Sequence, residues 1–71
     1  MVETPLEQAR RHVAEGRRRI KEQEDRIGKL QADGHQEKLK QSRELLAILR
    51  DGQNIAEHYL STLEREARSR Q

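Results

Sequence analysis

Apolar side chains in the first half of the chain recur at a spacing of seven residues. The first set is Leu6, Val13, Ile20 and Ile27. A second set, with small or polar members, follows three residues after each: Ala9, Gly16, Gln23 and Leu30. This alternation of three and four places one stripe along a helix, as in a coiled coil. Thr4 can cap that helix, Pro5 suits its first position and Glu7 completes a capping box, so we predict a helix from about residue 5 to residue 33.

A second stripe follows, and it is out of phase with the first. Its members are Leu39, Ser42, Leu46, Leu49, Gln53, Ala56, Leu60 and Leu63. Continuing the first phase would instead place Glu37, Glu44 and Asp51 in the apolar seam. The phase changes at Gly34, and glycine is preferred just after a helix because it adopts the left-handed conformation without a Cβ clash. We predict a turn at about residues 33–36 and a second helix from about residue 36 to residue 68.

A chain that folds back at Gly34 brings the two stripes face to face, in a register where the numbers of facing residues sum to 69. Small residues then face larger ones in the layers Ala9 with Leu60, Gly16 with Gln53 and Ile27 with Ser42, and a further layer pairs Gln23 with Leu46. The charges flanking the seam are complementary, with Arg10 and Arg17 near Glu64 and Glu57, and Glu24 near Arg43 and Arg50. Such volume compensation is what close packing requires. The predicted fold is all-α, an antiparallel two-helix hairpin with coiled-coil-like packing that forms one domain over residues 1–71.

The second helix has a further apolar line that this pairing leaves uncovered. Its members are Leu45, Ile48, Gly52, Ile55, Tyr59 and Thr62. The first helix has no matching second line, so a lone hairpin would leave these side chains in water, and burying them favours association. We expect a homo-oligomeric four-helix bundle with this line as the interface and Gly52 allowing close approach. A homodimer is the leading expectation, a tetramer is also open, and a different protein partner is the alternative occupant.

Composition narrows the chemistry that the chain can perform. Cysteine, Phe and Trp are absent, Tyr59 is the one aromatic residue, and charged residues make up 39% of the chain. No apolar run approaches the length of a membrane span and no signal-peptide pattern opens the sequence, so we expect a cytoplasmic protein without membrane contact. His12, His35 and His58 lie at positions where no ligand set or nucleophile converges, and we predict no catalytic site, metal or cofactor. Polar residues in a seam usually fix its register, the role expected of Gln23 and Gln53.

Basic residues concentrate in the first helix. The set is Arg10, Arg11, Arg17, Arg18, Arg19 and Lys21. Six bases over about three turns could follow a phosphate backbone, and dimerisation would double them. Glu7, Glu15 and Glu22 dilute the patch, however, and consecutive arginines spread over different faces of a helix. A nucleic-acid-binding dimer, with RNA as the ligand, is therefore the alternative to the leading hypothesis of a non-enzymatic interaction or scaffold protein.

Several short motifs carry a resemblance to known sequences. They are Arg11-His12-Val13-Ala14-Glu15-Gly16, Arg19-Ile20, Ala32-Asp33-Gly34-His35 and Leu45-Leu46. Together they resemble a group of short, uncharacterised helical-hairpin proteins of alphaproteobacteria, over about residues 9–60. The resemblance implies the hairpin and brings no activity, substrate or site residue with it. The predicted architecture is also similar to that of ROP, an RNA-binding hairpin that dimerises into a four-helix bundle, but this likeness is one of fold and does not fix function.

Overall fold

The chain folds into two helices that pack against each other as a hairpin. The computed structural model describes residues 2–70, and in this range α1 spans Pro5–Asp33 and α2 spans Gln36–Ser69. The molecule measures 54 × 23 × 14 Å, a rod two helices wide. The predicted all-α hairpin is confirmed. The second helix ends one residue beyond the expected boundary, at Ser69 rather than residue 68.

A complete capping box starts α1. The Thr4 Oγ1 accepts the backbone N–H of Glu7 at 3.1 Å, and the Glu7 carboxylate accepts the backbone N–H of Thr4 at 3.1 Å. Because this backbone hydrogen bond favours the ionised carboxylate, it lowers the pKa of Glu7 below its ordinary value. Pro5 occupies the first turn, where its missing N–H would have had no partner in the helix. The first turn is thus set by the motif that the sequence predicts.

Gly34 and His35 make the whole connection between the helices. Gly34 has φ 74° and ψ 25°, the left-handed conformation expected of a helix-terminating glycine. Its N–H donates to the Gln31 carbonyl, and the His35 N–H donates to the Leu30 carbonyl at 3.1 Å. These bonds satisfy carbonyl groups that the end of α1 would otherwise leave unpaired. A two-residue turn therefore reverses the chain and changes the phase of the stripe.

The core of the hairpin is one thin seam between the two helices. Every residue of the two predicted stripes is buried or half-buried. The buried members are Ala9, Val13, Gln23, Leu39, Leu46, Gln53 and Ala56. Only two of these side chains are leucines, so the seam removes little apolar surface from water for a chain of this length. The hairpin uses all its stripe residues and still has a small core.

Gln53 and Gly16 fix the register of the seam. The Gln53 Nε2 donates to the Val13 carbonyl at 2.9 Å, and a Cβ atom placed on Gly16 would lie 2.8 Å from the Gln53 Cδ. Gly16 therefore faces Gln53, as predicted. Gln23 donates to the Ser42 carbonyl at 2.9 Å, one helical turn before its predicted partner in the seam.

Two cross-helix ion pairs of the predicted register also form. The Arg17 Nη2 lies 2.6 Å from the Glu57 Oε1, and the Arg50 Nη2 lies 3.0 Å from the Glu24 Oε2. The other two expected neighbours do not reach bonding distance: within residues 2–70, Arg10 forms no ion pair with Glu64, and Glu24 forms none with Arg43. All four residues of the observed pairs are well exposed, so these contacts report the register more than they stabilise it.

Candidate interaction surface

The largest apolar side chains on the outside of the hairpin form one line along α2. The exposed fraction is 44% for Leu45, 67% for Ile48, 73% for Ile55 and 54% for Tyr59. Gly52 is also exposed, and Thr62 is half-buried. These six residues are called the α2 line below. All of them lie on the same side of α2, because they are separated alternately by three and four residues. Both isoleucines are more exposed than any residue of the seam, and nothing in the hairpin covers them.

The neighbouring side of α1 offers no apolar cover for the α2 line. At Leu49, a seam residue next to Ile48 in sequence, the groove between the helices is lined on the α1 side by Arg19, Glu22, Gln23 and Arg26. Nearer the ends of the chain, Tyr59 borders a shallow groove of about 260 Å³ whose α1 side is Pro5, Gln8, Ala9, Arg11 and His12. Only Pro5 and Ala9 are apolar there. The side of α1 next to the α2 line is consequently mostly polar and leaves the line uncovered.

Gly52 lies in the middle of the α2 line with open space in front of it. A Cβ atom built on Gly52 would meet no other atom within 4 Å. Gly16 is different, because it needs to lack a side chain to accommodate Gln53. A glycine inside a helix costs about 1 kcal/mol relative to alanine, and nothing within the hairpin explains that cost at Gly52. Close approach of another backbone or of a large side chain would account for it.

The total exposed surface is large for the mass of the chain. The hairpin exposes 5974 Å² at 8.4 kDa, whereas a compact monomer of that mass exposes about 4,600 Å². The excess of roughly 1,400 Å² follows from an elongated fold with one thin seam. A standard protein–protein interface buries about 800 Å² on each partner. The hairpin therefore carries enough surplus surface for a stable interface.

The open end of the hairpin continues the α2 line, which the sequence analysis missed. A groove of about 640 Å³ lies there, and Tyr59 borders it together with Pro5, Leu63 and Ala67. Leu63 and Ala67 follow Tyr59 by four and eight residues, a helical spacing visible in the sequence. That signal was obscured because Leu63 also belongs to the seam. The apolar surface thus extends beyond Thr62 towards the end of α2.

Acidic neighbours partly neutralise the basic residues of α1. Arg11 forms ion pairs with Glu3 at 2.9 Å and Glu15 at 3.2 Å, and this raises the pKa of its guanidinium. Of the other bases, Arg17 pairs with Glu57 and Arg18 lies 3.8 Å from Glu22. The remaining members of the predicted set, Arg10, Arg19 and Lys21, are exposed and form no ion pair within residues 2–70. Half of the set is thus engaged within the chain, and contact with nucleic acid stays a prediction.

The described part of the chain brings no cluster of potential metal ligands together. Among residues 2–70, no three His, Asp or Glu side chains are close enough to hold a metal ion. His12, His35 and His58 are all exposed to solvent. Neither of the two helices described has an apolar stretch that could cross a membrane. The α2 line is therefore the strongest candidate for a functional surface on the hairpin.

The chain matches no protein-family model, no curated protein and no solved structure. The resemblance to short alphaproteobacterial hairpin proteins accordingly stays a prediction.

Proposed function

We propose that the chain is a non-enzymatic interaction protein, a helical hairpin that binds a second copy of itself through the α2 line. The pair forms a four-helix bundle and acts as a small scaffold. One observation carries the proposal: Ile48 and Ile55 are 67% and 73% exposed on the helix that already contributes most of the buried leucine surface. Exposed apolar lines of this kind mark protein–protein contacts.

The apolar area of the line is sufficient to hold two hairpins together. Fully burying a large apolar side chain contributes about 1.5–3 kcal/mol. Four such side chains, each about half to three-quarters exposed, contribute on the order of 10 kcal/mol over two chains. The loss of translational and rotational freedom costs a similar amount, about 4–15 kcal/mol. Because the apolar gain and the cost of association are similar, we expect a dimer that dissociates on dilution.

Paired substitutions on two faces of α2 test the proposal. Ile48→Glu with Ile55→Glu places two carboxylates in the α2 line and should convert the oligomer to monomer. Ala47→Glu with Asn54→Glu is the matched control, because both residues are exposed neighbours outside the line and the change in net charge is the same. Light scattering during size-exclusion chromatography measures the mass of each variant, and circular dichroism checks that both stay helical.

The expected result is a monomer for the isoleucine variant and an oligomer for the control and the wild type. An oligomer that survives both isoleucine substitutions would show that another surface mediates association, and the α2 line would lose its proposed role. Loss of the oligomer in both variants would point to added charge as the cause and would equally contradict the proposal.

A further inference from the structure

The spacing along the α2 line determines how a second copy can face it. In an antiparallel pair of α2 helices, facing residues have a constant sum of residue numbers. A sum of 107 gives every member of the line a partner, in the layers Leu45 with Thr62, Ile48 with Tyr59 and Gly52 with Ile55. Each layer occurs twice because the arrangement is symmetric. The large Ile55 then packs over Gly52, where open space is available. Close packing of this layer requires a residue as small as glycine at position 52.

Charges along the outer edge of the α2 line agree with the same register. The edge consists of Glu44, Asp51, His58 and Arg65, each seven residues from the next, and all four are exposed. It is acidic in its first half and carries His58 and Arg65 in its second half. Within residues 2–70, none of these four side chains forms an ion pair, and the Arg65 guanidinium donates only a long hydrogen bond to the Thr62 hydroxyl at 3.5 Å. The carboxylates and the guanidinium of the edge therefore have no charged partner within this range.

In the antiparallel register, this edge lies against the same edge of the second copy. Glu44 then faces Arg65 of the second copy, and Asp51 faces its His58, at heights that differ by about 3 Å along the helix. Glu44 of each chain thus meets Arg65 of the other, once on each side of the symmetry axis. Contacts of this kind contribute more to orientation than to affinity.

A parallel pair fits the same residues less well. Each member of the α2 line would face its own copy, so Gly52 would meet Gly52 and leave a gap in the centre of the interface. Equivalent outer edges lie on opposite sides of a parallel pair, so the acidic half of one edge could not meet the basic half of the other. Both volume and charge therefore favour the antiparallel arrangement.

We propose that the second copy binds antiparallel, with the two-fold axis passing between the two α2 helices at the height of Gln53 and Asn54. This inference rests on the proposed self-association and adds its geometry. The occupant of the α2 line is a second α2 helix, and the surplus exposed surface of each hairpin exceeds what that contact needs. The two Gly34 turns then lie at opposite ends of the dimer, on the order of 55 Å apart. Such a dimer is a rod with a Gly34 turn at each end.

Distances between single spin labels in the dimer test the orientation. The chain has no cysteine, so Lys40→Cys and Asn54→Cys each provide one labelling site. Both residues are exposed, and they lie two heptads apart on the same face of α2. In the antiparallel dimer, the two labels at position 54 are separated along the helix axis by about 2 Å, and those at position 40 by about 40 Å. In a parallel dimer the two positions give equal distances.

Pulsed electron–electron double resonance on each labelled protein should give a short distance for position 54 and a much longer one for position 40. Equal distances at the two positions in a protein of dimer mass would overturn the antiparallel orientation and leave self-association standing. Samples that give no intermolecular distance and have the mass of a monomer would instead refute the proposed function. Mixing with unlabelled protein must weaken both signals, because the distances arise between chains.

Discussion

Gly16 has no side chain, and Gln53 fills the space that this leaves in the seam. The glutamine amide passes over the glycine and donates to the Val13 carbonyl at 2.9 Å, a group that already accepts a bond within α1. A buried amide without a partner would cost about 1–3 kcal/mol, so this hydrogen bond makes the polar residue tolerable in the seam. Any other register would break it. Gly16 and Gln53 thus stabilise this register of the two helices relative to registers shifted along the seam.

Alanine at Gly16 should destabilise the hairpin even though alanine is the better helix former. A Cβ atom there overlaps the Gln53 amide, the flexible end of that side chain. The amide must move and lose its buried hydrogen bond to the Val13 carbonyl, which costs about 1–3 kcal/mol. The gain in helix propensity is about 1 kcal/mol, so a net loss is expected. Urea denaturation followed by circular dichroism measures the free energy of unfolding.

Gly28→Ala is the matched control, because a Cβ atom on Gly28 would meet no other atom within 4 Å. It should raise the free energy of unfolding by up to about 1 kcal/mol. Equal stabilisation by the two substitutions would mean that Gln53 does not occupy the space in front of Gly16.

The sequence predicts this layer only in part, for a physical reason. Heptad spacing places Gly16 opposite Gln53 and indicates that a small residue faces a larger one. It does not reveal that the amide donates to a backbone carbonyl, because that depends on the side-chain torsion angles. The shift of Gln23 towards Ser42 has the same origin. A long amide side chain reaches the nearest free acceptor, and that acceptor can be one turn away.

At the scale of the helix, both ends of α1 are determined by local sequence. Thr4 and Glu7 form the capping box and Gly34 terminates the helix, each in its predicted role. Such signals are local and can be read from a few residues. The start of α2 differs, since no side chain caps it, and its position depends on the turn that precedes it.

Acid should loosen the first turn of α1. The Glu7 carboxylate accepts the Thr4 N–H, and its pKa is lowered in the folded state. Its stabilising contribution is therefore complete above the ordinary pKa of a glutamate, about 4.3, and is lost as the pH falls through the lower folded value. Amide hydrogen exchange measured by NMR at pH 3 should be faster at the N–H groups of Thr4, Glu7 and Gln8, which are bonded in this turn, than the intrinsic pH dependence predicts.

Glu7→Gln is the control for this titration, because a glutamine at this position can still complete a capping box and carries no charge. Its first turn should respond less to acid than that of the wild type. The same response in both proteins would assign the acid effect to other carboxylates.

At the scale of the whole molecule, two helices and one seam leave a protein with more surface than its mass requires. The seam buries few large apolar side chains, and Ile48 and Ile55 remain outside it. An isolated chain of this size rarely builds a sufficient core. In the proposed dimer a second copy supplies the missing cover, and folding and association are then coupled.

The hairpin could be predicted from sequence because phase, turn and cap are all encoded in consecutive residues. The α2 line could be recognised too, since its spacing is regular. What covers the line is a property of two chains, and a single sequence indicates it only through complementarity, as at Gly52 and at the edge from Glu44 to Arg65. The sequence also indicates part of what divides the basic residues of α1. The ion pairs to Glu15 and Glu57 follow from helical spacing and register, whereas the pair of Arg11 with Glu3 depends on the path of the chain before the helix.

Sedimentation equilibrium of the wild-type chain, over a dilution series from high to low micromolar concentration, tests the central claim most directly. We expect twice the 8.4 kDa mass of one chain at the upper end, with a decline towards the monomer mass on dilution. A mass of 8.4 kDa at every concentration would contradict the account, because the α2 line would then remain in water without a second copy to cover it.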